Sequence, residues 1–298
     1  MKKRLVSCCI AALAFAACED AVPPTPRPMP LVKRVVSAPI EAVQPVAIVE
    51  PVDILSLKHQ QPGVDHLARA KQLADEGDRP GALTEARRAI FTLPTDEEAL
   101  KFIGALTPKM GKSDLAAEAY GRIAQLHPDD AVPLVQQARA LVKARAYDQA
   151  ARVGKEATQR DNGNPEAFQA AGLGYLGQGE LQNAISMFSK VIELKPDHGW
   201  ALNNLGLAYL RANENEKAVE VLTRSAEVLP NVAYVHNNLG VALERVGRKD
   251  EAKQAYLTST TLSPRYVKAR INADRVARVG TLEEIEFDPE APDTATEN

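Results

Sequence analysis

Two consecutive stretches decide the fold: residues 199–232 read GWALNNLGLAYLRANENEKAVEVLTRSAEVLPNV, and residues 233–266 read AYVHNNLGVALERVGRKDEAKQAYLTSTTLSPRY. Each is 34 residues long, and they align without a gap. Both carry glycine at the eighth place, alanine at the twentieth and proline at the thirty-second. Their apolar residues recur at intervals of three and four, the period of an amphipathic helix. A sequence period of this length indicates a repeated helical unit.

The same frame extends towards the N-terminus without insertion or deletion and gives six units. They are residues 63–96, 97–130, 131–164, 165–198, 199–232 and 233–266. The eighth residue is small in each: Ala70, Gly104, Ala138, Gly172, Gly206 and Gly240. The twentieth is always alanine: Ala82, Ala116, Ala150, Ala184, Ala218 and Ala252. Small residues let two antiparallel helices approach closely, because a larger side chain would overpack the crossing.

The fifteenth place predicts where the first helix of each unit ends. It holds Gly77, Gly111, Arg145, Gly179, Asn213 and Gly247. Glycine and asparagine favour the left-handed conformation that closes a helix. Proline at residues 94, 128, 196, 230 and 264 stops the second helix. Each unit is therefore predicted to be helix, turn, helix, with an apolar face that is buried when the next unit stacks on it.

This pattern resembles the tetratricopeptide repeat, which favours Trp, Leu, Gly, Tyr, Ala, Phe, Ala and Pro at fixed places. The resemblance covers about two thirds of the chain and is closest in the last three units. It implies an all-α fold, a right-handed α-solenoid of six helix–turn–helix units with a capping helix at residues 267–280. In the second unit, Thr107 and Pro108 predict a first helix that is short or kinked.

The start of the chain predicts export. Residues 1–4 read Met-Lys-Lys-Arg, and the apolar run from Leu5 to Ala17 is 13 residues long, too short to span a bilayer. This pattern indicates a secretory signal peptide at residues 1–17. The small residues before Cys18 resemble the lipobox of bacterial lipoproteins, which implies lipidation of that cysteine. An ordinary signal peptide followed by a chance cysteine is the alternative.

Residues 18–62 are predicted to form a linker, because nine of the 44 residues after Cys18 are proline. Each proline fixes φ and removes a backbone donor. A polyproline-like stretch of this length spans at most on the order of 130 Å. Ile54, Leu55 and Leu57 are candidates for docking on the first unit.

The resemblance also implies a binding groove, because the first helices of such repeats line a concave surface. In this family the groove is faced by frame positions 2, 5, 6, 9, 12 and 13. The resemblance therefore predicts a peptide-binding groove formed by Trp200, Asn203, Asn204, Leu207, Arg211, Tyr234, Asn237, Asn238, Arg245, Lys268, Asn272 and Arg275. The same positions include Leu210, Val241, Glu244, Ile271 and Arg278. The recurring asparagines are predicted to hydrogen-bond an extended peptide, and the cations favour an acidic segment or a terminal carboxylate. The alternative is that the asparagines are common in such repeats and the charges are solvated.

Charge excludes nucleic acid as an expected partner. The chain has 36 basic and 39 acidic residues; without the signal segment the count is 33 against 39. Seven of the acids lie in residues 281–298, and the remainder is near neutral, whereas phosphate binding requires a basic field. This acidic tail is predicted to be disordered. It is a candidate occupant of the groove, and a solubilising segment is the alternative.

The sequence predicts neither an enzyme nor a cofactor or metal site. Gly172, Gly174 and Gly177 match G-x-G-x-x-G, but a dinucleotide site needs a strand before it, and these glycines fall inside a predicted helix. The five histidines are scattered at residues 59, 66, 127, 198 and 236. The spacing of a metal site is therefore missing from the sequence.

Together these features predict a non-catalytic, membrane-anchored scaffold for protein–protein interactions. The architecture is similar to pilotins and to the assembly lipoproteins of type IV and Flp/Tad pili, which implies a role in assembling a pilus or secretion complex. An envelope scaffold that recruits peptidoglycan or division enzymes is the alternative. Glu19 after the lipid cysteine favours the outer membrane, facing the periplasm. The expected partners are a protein or extended peptide, with the membrane contacted through the lipid only.

Overall fold

A computed structural model describes residues 53–58 and 63–278 of the chain. These residues form thirteen α-helices, one 3-10 helix and no strand. The α-helices are α1 His66–Asp75, α2 Arg79–Thr92, α3 Glu97–Leu106, α4 Ser113–Leu126, α5 Val132–Lys143, α6 Tyr147–Arg160, α7 Pro165–Gln178, α8 Leu181–Leu194, α9 Gly199–Arg211, α10 Asn215–Val228, α11 Ala233–Arg245, α12 Lys249–Leu262 and α13 Val267–Arg278. The fold is all-α, as the repeat pattern predicts.

Several sequence predictions lie outside the described residues. They are the signal segment 1–17, the lipidation of Cys18, most of the linker 18–62 and the acidic tail 281–298. Across the helices between residues 63 and 278, none combines the length and apolar character that a bilayer-crossing helix requires.

The turn between the two helices of each unit is left-handed at the fifteenth place in all six units. The φ angles are 87° at Gly77, 71° at Gly111, 59° at Arg145, 82° at Gly179, 60° at Asn213 and 83° at Gly247. Arg145 therefore adopts the same conformation as the glycines, although this region costs an L-residue roughly 1–2 kcal/mol. The position in the repeat, rather than the residue type, decides the turn here.

In units two, four, five and six, the glycine at the eighth place makes room for a large side chain on the second helix of the same unit. A Cβ added to Gly206 would lie 2.4 Å from Cγ of Leu222, and one added to Gly240 would lie 2.5 Å from Cε1 of Tyr256. The six alanines at the twentieth place are all 0 % exposed. The predicted close crossing of paired helices is therefore present.

The interruption predicted in the second unit is confirmed. Helix α3 ends at Leu106, and Thr107–Met110 forms a 3-10 helix that Gly111 closes. Pro108 lacks the N–H that would continue the α-helix. The hydroxyl of Thr107 donates to the carbonyl of Ile103 at 2.8 Å and so satisfies one carbonyl at the helix end.

Residues 53–58 pack on the first two units, although the sequence assigns them to the linker. Leu55 is 0 % exposed and belongs to an apolar cluster shared with helices α1 to α4. Leu57 is half-buried, whereas Ile54 is 44 % exposed. Of the three candidates for docking, Leu55 is thus the anchor. The packed part of the chain therefore begins before Gly63, because Leu55, a residue of the predicted linker, is buried in the apolar cluster of helices α1 to α4.

Polar contacts hold this docked segment on the second helices of units one and two. Nη1 of Arg122 on α4 donates to Oδ2 of Asp53 at 3.0 Å, and Nη2 bonds the other carboxylate oxygen. The N–H of Leu57 donates to the carbonyl of Arg87 on α2 at 2.9 Å. The hydrogen bond from Arg122 holds the pKa of Asp53 below its usual value. The segment is therefore fixed by both an ion pair and a buried side chain.

Candidate protein-binding face

The first helices α9, α11 and α13 lie side by side and carry the predicted groove residues. Six of the twelve are half-buried and reach the surface: Trp200, Arg211, Tyr234, Arg245, Lys268 and Arg275. The other six are buried: Asn203, Asn204, Leu207, Asn237, Asn238 and Asn272. Among the other residues at the predicted groove positions, Leu210 and Val241 are buried, Glu244 is half-buried and Ile271 is exposed. The side chain of Arg278 lies outside the described residues.

The asparagines form a hydrogen-bonded ladder inside the stack. Nδ2 of Asn238 donates to Oδ1 of Asn203 at 3.0 Å, and Nδ2 of Asn272 donates to Oδ1 of Asn237, also at 3.0 Å. Each bond joins the sixth place of one helix to the fifth place of the helix before it. The expectation that these amides face a bound peptide is therefore corrected. Adjacent first helices approach closely enough for buried amides to satisfy one another.

Asn203 also orders an aromatic pair at the surface. Its Nδ2 donates to the hydroxyl oxygen of Tyr234 at 2.6 Å and to Oδ1 of Asn204 at 3.3 Å. The ring of Tyr234 stacks on Trp200, with 5.6 Å between ring centroids and 15° between planes. The buried ladder thus fixes the orientation of an aromatic pair that is itself half-buried.

The ladder stops at the fourth unit. The fifth place there is Gln169, which is 1 % exposed and whose Oε1 has no hydrogen-bond partner. By analogy with the later units, Asn204 would be the donor to this atom. The sequence carries a sign of this break, because the fourth unit has Gln169 and Ala170 where the fifth and sixth units each have two consecutive asparagines.

Two arginines repeat the same contact one unit apart. Nη1 of Arg211 donates to the carbonyl of Leu176 at 3.0 Å, and Nη1 of Arg245 donates to the carbonyl of Leu210 at 2.6 Å. Each contact satisfies a carbonyl in the last turn of the preceding first helix. The negative end of the helix dipole also stabilises a cation at this position. Both guanidinium groups are therefore held in position while half-buried.

Arg275 is engaged by its own chain rather than offered to a partner. Its Nη2 lies 2.7 Å from Oε2 of Glu244, and Nη1 bonds the other carboxylate oxygen. The hydroxyl of Tyr256 donates to the same carboxylate at 2.9 Å. Burial raises the pKa of Glu244, but the hydrogen bonds from Arg275 and Tyr256 outweigh it and hold the pKa below its ordinary value. This network attaches α13 to the sixth unit.

The other sequence motifs belong to packing. Gly172, Gly174 and Gly177 lie within α7, and a Cβ on Gly174 would stand 2.4 Å from the backbone nitrogen of Ala151 on α6. Glycine here lets α6 and α7 approach closely. No group of three or more histidine, cysteine or acidic residues within residues 53–58 and 63–278 is arranged to hold a metal ion.

Family models of the tetratricopeptide repeat match residues 175–239 and 233–266. The chain therefore carries tetratricopeptide repeats and folds as an α-solenoid built from them. Proteins with these repeats mediate protein–protein interactions. No curated protein sequence matches the chain.

Solved structures share this fold. TTC0263, a thermophilic TPR protein of Thermus thermophilus, is 19 % identical over 61 % of this chain and 100 % of its own, with a TM-score of 0.51. The MamA RS-1 ArsTM double mutant is 21 % identical over 56 % of this chain and 94 % of its own, with a TM-score of 0.51. One chain of the APC/C hetero-tetramer Cut9–Hcn1 is 18 % identical over 71 % of this chain and 42 % of its own, with a TM-score of 0.56. At these identities the likeness concerns the fold alone.

Proposed function

We propose that this chain is a non-catalytic scaffold that binds a protein or an extended peptide segment on the first helices of its last two units. The observation that carries this proposal is an ordered surface set on α9 and α11: the stacked pair Trp200 and Tyr234, together with Arg211 and Arg245. Tryptophan, tyrosine and arginine are the residues enriched at the energetic centres of protein interfaces.

The order of these side chains favours binding. Asn203 holds the Tyr234 hydroxyl, and backbone carbonyls hold the two arginines. A partner therefore meets side chains that have already lost most of their rotamer freedom, and immobilising such a side chain otherwise costs about 0.5–1.5 kcal/mol. The buried asparagines contribute by positioning this surface and not by contacting the partner.

We further propose that the scaffold is exported, anchored through a lipid on Cys18, and assists assembly of a pilus or secretion complex at the outer membrane, facing the periplasm. The support is the order of the segments. A positively charged, apolar start precedes Cys18, and a proline-rich stretch, residues 19–52, lies between that cysteine and the docked segment 53–58. Such a spacer allows a tethered solenoid to reach an assembly away from the bilayer.

The binding face is tested by crosslinking in intact envelopes and purifying the chain with its partners. We expect secretin or pilus subunits with the native chain, and about 30-fold weaker capture with Trp200→Ala, as for a loss of about 2 kcal/mol. The matched control is Phe91→Ala on α2, an aromatic residue that is 42 % exposed but lies away from this face. Equal loss with both variants would refute the face, and recovery of peptidoglycan or division enzymes instead would refute the pilus role.

The anchor is tested separately. Cys18→Ser should move the protein from the membrane fraction to the soluble fraction and remove the mass of the lipid from the purified chain. Retention of both the lipid mass and the membrane location in this variant would contradict anchoring at Cys18. That result would not bear on the proposed binding face, which the crosslinking experiment tests.

A further inference from the structure

The last helix exposes a face that the preceding first helices bury. On α13, Val267 is 51 % exposed and Ile271 is 38 % exposed. Ile271 occupies the fifth place, where Gln169, Asn203 and Asn237 are 1 %, 0 % and 5 % exposed under the next unit. Within the described residues, α13 has no following helix to cover this place.

The open face of α13 combines two apolar side chains with one cation, Arg270, and one carboxylate, Asp274. Val267, Arg270, Ile271 and Asp274 are all exposed, and their spacing places them on one side of the helix. Basic residues predominate around this end of the stack, because residues 244–278 contain nine basic and four acidic residues, two of the acids being paired with Arg248 and Arg275. An apolar surface in a basic setting matches an acidic segment with interspersed apolar residues.

The following segment of the chain has that composition. Residues 279–298 contain seven acidic and no basic residues. The acids near its start alternate with Leu282, Ile285 and Phe287. This segment follows α13 directly, so its local concentration at the open face reaches the millimolar range that short tethers provide, about 1 mM or more.

We propose that the acidic C-terminal segment, residues 281–298, docks on the open face of α13 and closes the end of the solenoid. Its apolar residues cover Val267 and Ile271, and its acids lie near Arg270 and the basic surface of the sixth unit. The binding face of α9 and α11 is the competing location, but the exposed apolar residues Val267 and Ile271 lie on α13, the helix that the segment follows directly. Closing the end keeps an apolar surface from recruiting a second copy, as capping elements do in repeat proteins.

Hydrogen exchange tests the contact on the full chain. The native chain is compared with a chain ending at Gly280 and with the full-length variant E283Q/E284Q/E286Q/D288N. We expect the amides of α13 to exchange several-fold, about fivefold or more, faster in both variants at low salt. For the native chain, 1 M salt should produce part of the same change, because it shortens the screening length from about 10 Å to about 3 Å. Equal exchange of α13 in all three chains at low salt would overturn the proposal.

Disulfide trapping tests the location. In a full chain whose three native cysteines are replaced by serine, Ile271→Cys and Ile285→Cys should form a bond within one chain. The control pairs Ile285→Cys with Leu126→Cys, since Leu126 is also apolar and 40 % exposed but lies on α4. Equal trapping with the control, no trapping at all, or a bond that links two chains would overturn the proposal, and the last result would identify a second copy as the occupant. If Ile285→Cys forms a disulfide with Tyr234→Cys in preference to Ile271→Cys, the segment lies on the binding face and the proposal is overturned.

Discussion

Replacing one rung of the asparagine ladder tests what holds the last units together. Asn203 is 0 % exposed, and its side chain makes hydrogen bonds to Tyr234, Asn204 and Asn238. Asn203→Leu keeps the number and branching of the side-chain heavy atoms but removes these bonds, each worth about 1 kcal/mol net, and strands the buried donor of Asn238 at a cost of about 1–3 kcal/mol. We expect a loss of about 2–4 kcal/mol in the free energy of unfolding, allowing for residual pairing.

A matched control lies at the same frame position one unit earlier. Gln169 is just as buried, but its Oε1 has no hydrogen-bond partner. Gln169→Met keeps the shape and removes an unsatisfied acceptor, so we expect a change within about 1 kcal/mol of the native chain, in either direction.

Urea unfolding measures both variants, followed by circular dichroism and by fluorescence of Trp200, the single tryptophan, which lies beside the ladder. The two probes should shift together if the repeats unfold as one unit. An Asn203→Leu chain as stable as the native protein would refute the structural role of the ladder. So would a loss in Gln169→Met equal to that in Asn203→Leu, because buried volume alone would then explain both.

Three further changes test the turn, the docked segment and the ion pair. Arg145→Gly should raise the free energy of unfolding by about 1 kcal/mol in urea unfolding, since φ is 59° there; a loss of stability would contradict the strain. Leu55→Ala should cost about 2–5 kcal/mol in calorimetry and Ile54→Ala well under that; equal costs would mean that residues 53–58 are not docked through Leu55. Despite burial, hydrogen bonds from Arg275 and Tyr256 hold the pKa of Glu244 below its ordinary value, so its stabilising effect is present at neutral pH and lost as pH falls through that lowered pKa. Acid titrations of stability should therefore be flatter for Glu244→Gln than for the native chain, and identical slopes would refute this contribution.

Much of the fold follows from the sequence because its determinants are local. The left-handed turn at the fifteenth place is present even at Arg145, since the repeat period sets where two helices must reverse. The eighth and twentieth places form close crossings because a small residue is the one physical solution at that separation. Pro108 ends α3 through its missing donor, which needs no tertiary contact.

Only the tertiary structure decided the burial and the hydrogen-bond partners of the predicted groove side chains. Sequence spacing placed Asn238 and Arg275 on the first helices, but it gave no distance to Asn203 or Glu244, which lie 35 and 31 residues away. The same periodicity is compatible with an amide that binds a partner and with one that binds its neighbour. The packing distance between adjacent helices decides between them, because a hydrogen bond requires its two atoms within about 3 Å. Leu55 shows the same limit, since its place in the core depends on a cavity that four separate helices create together.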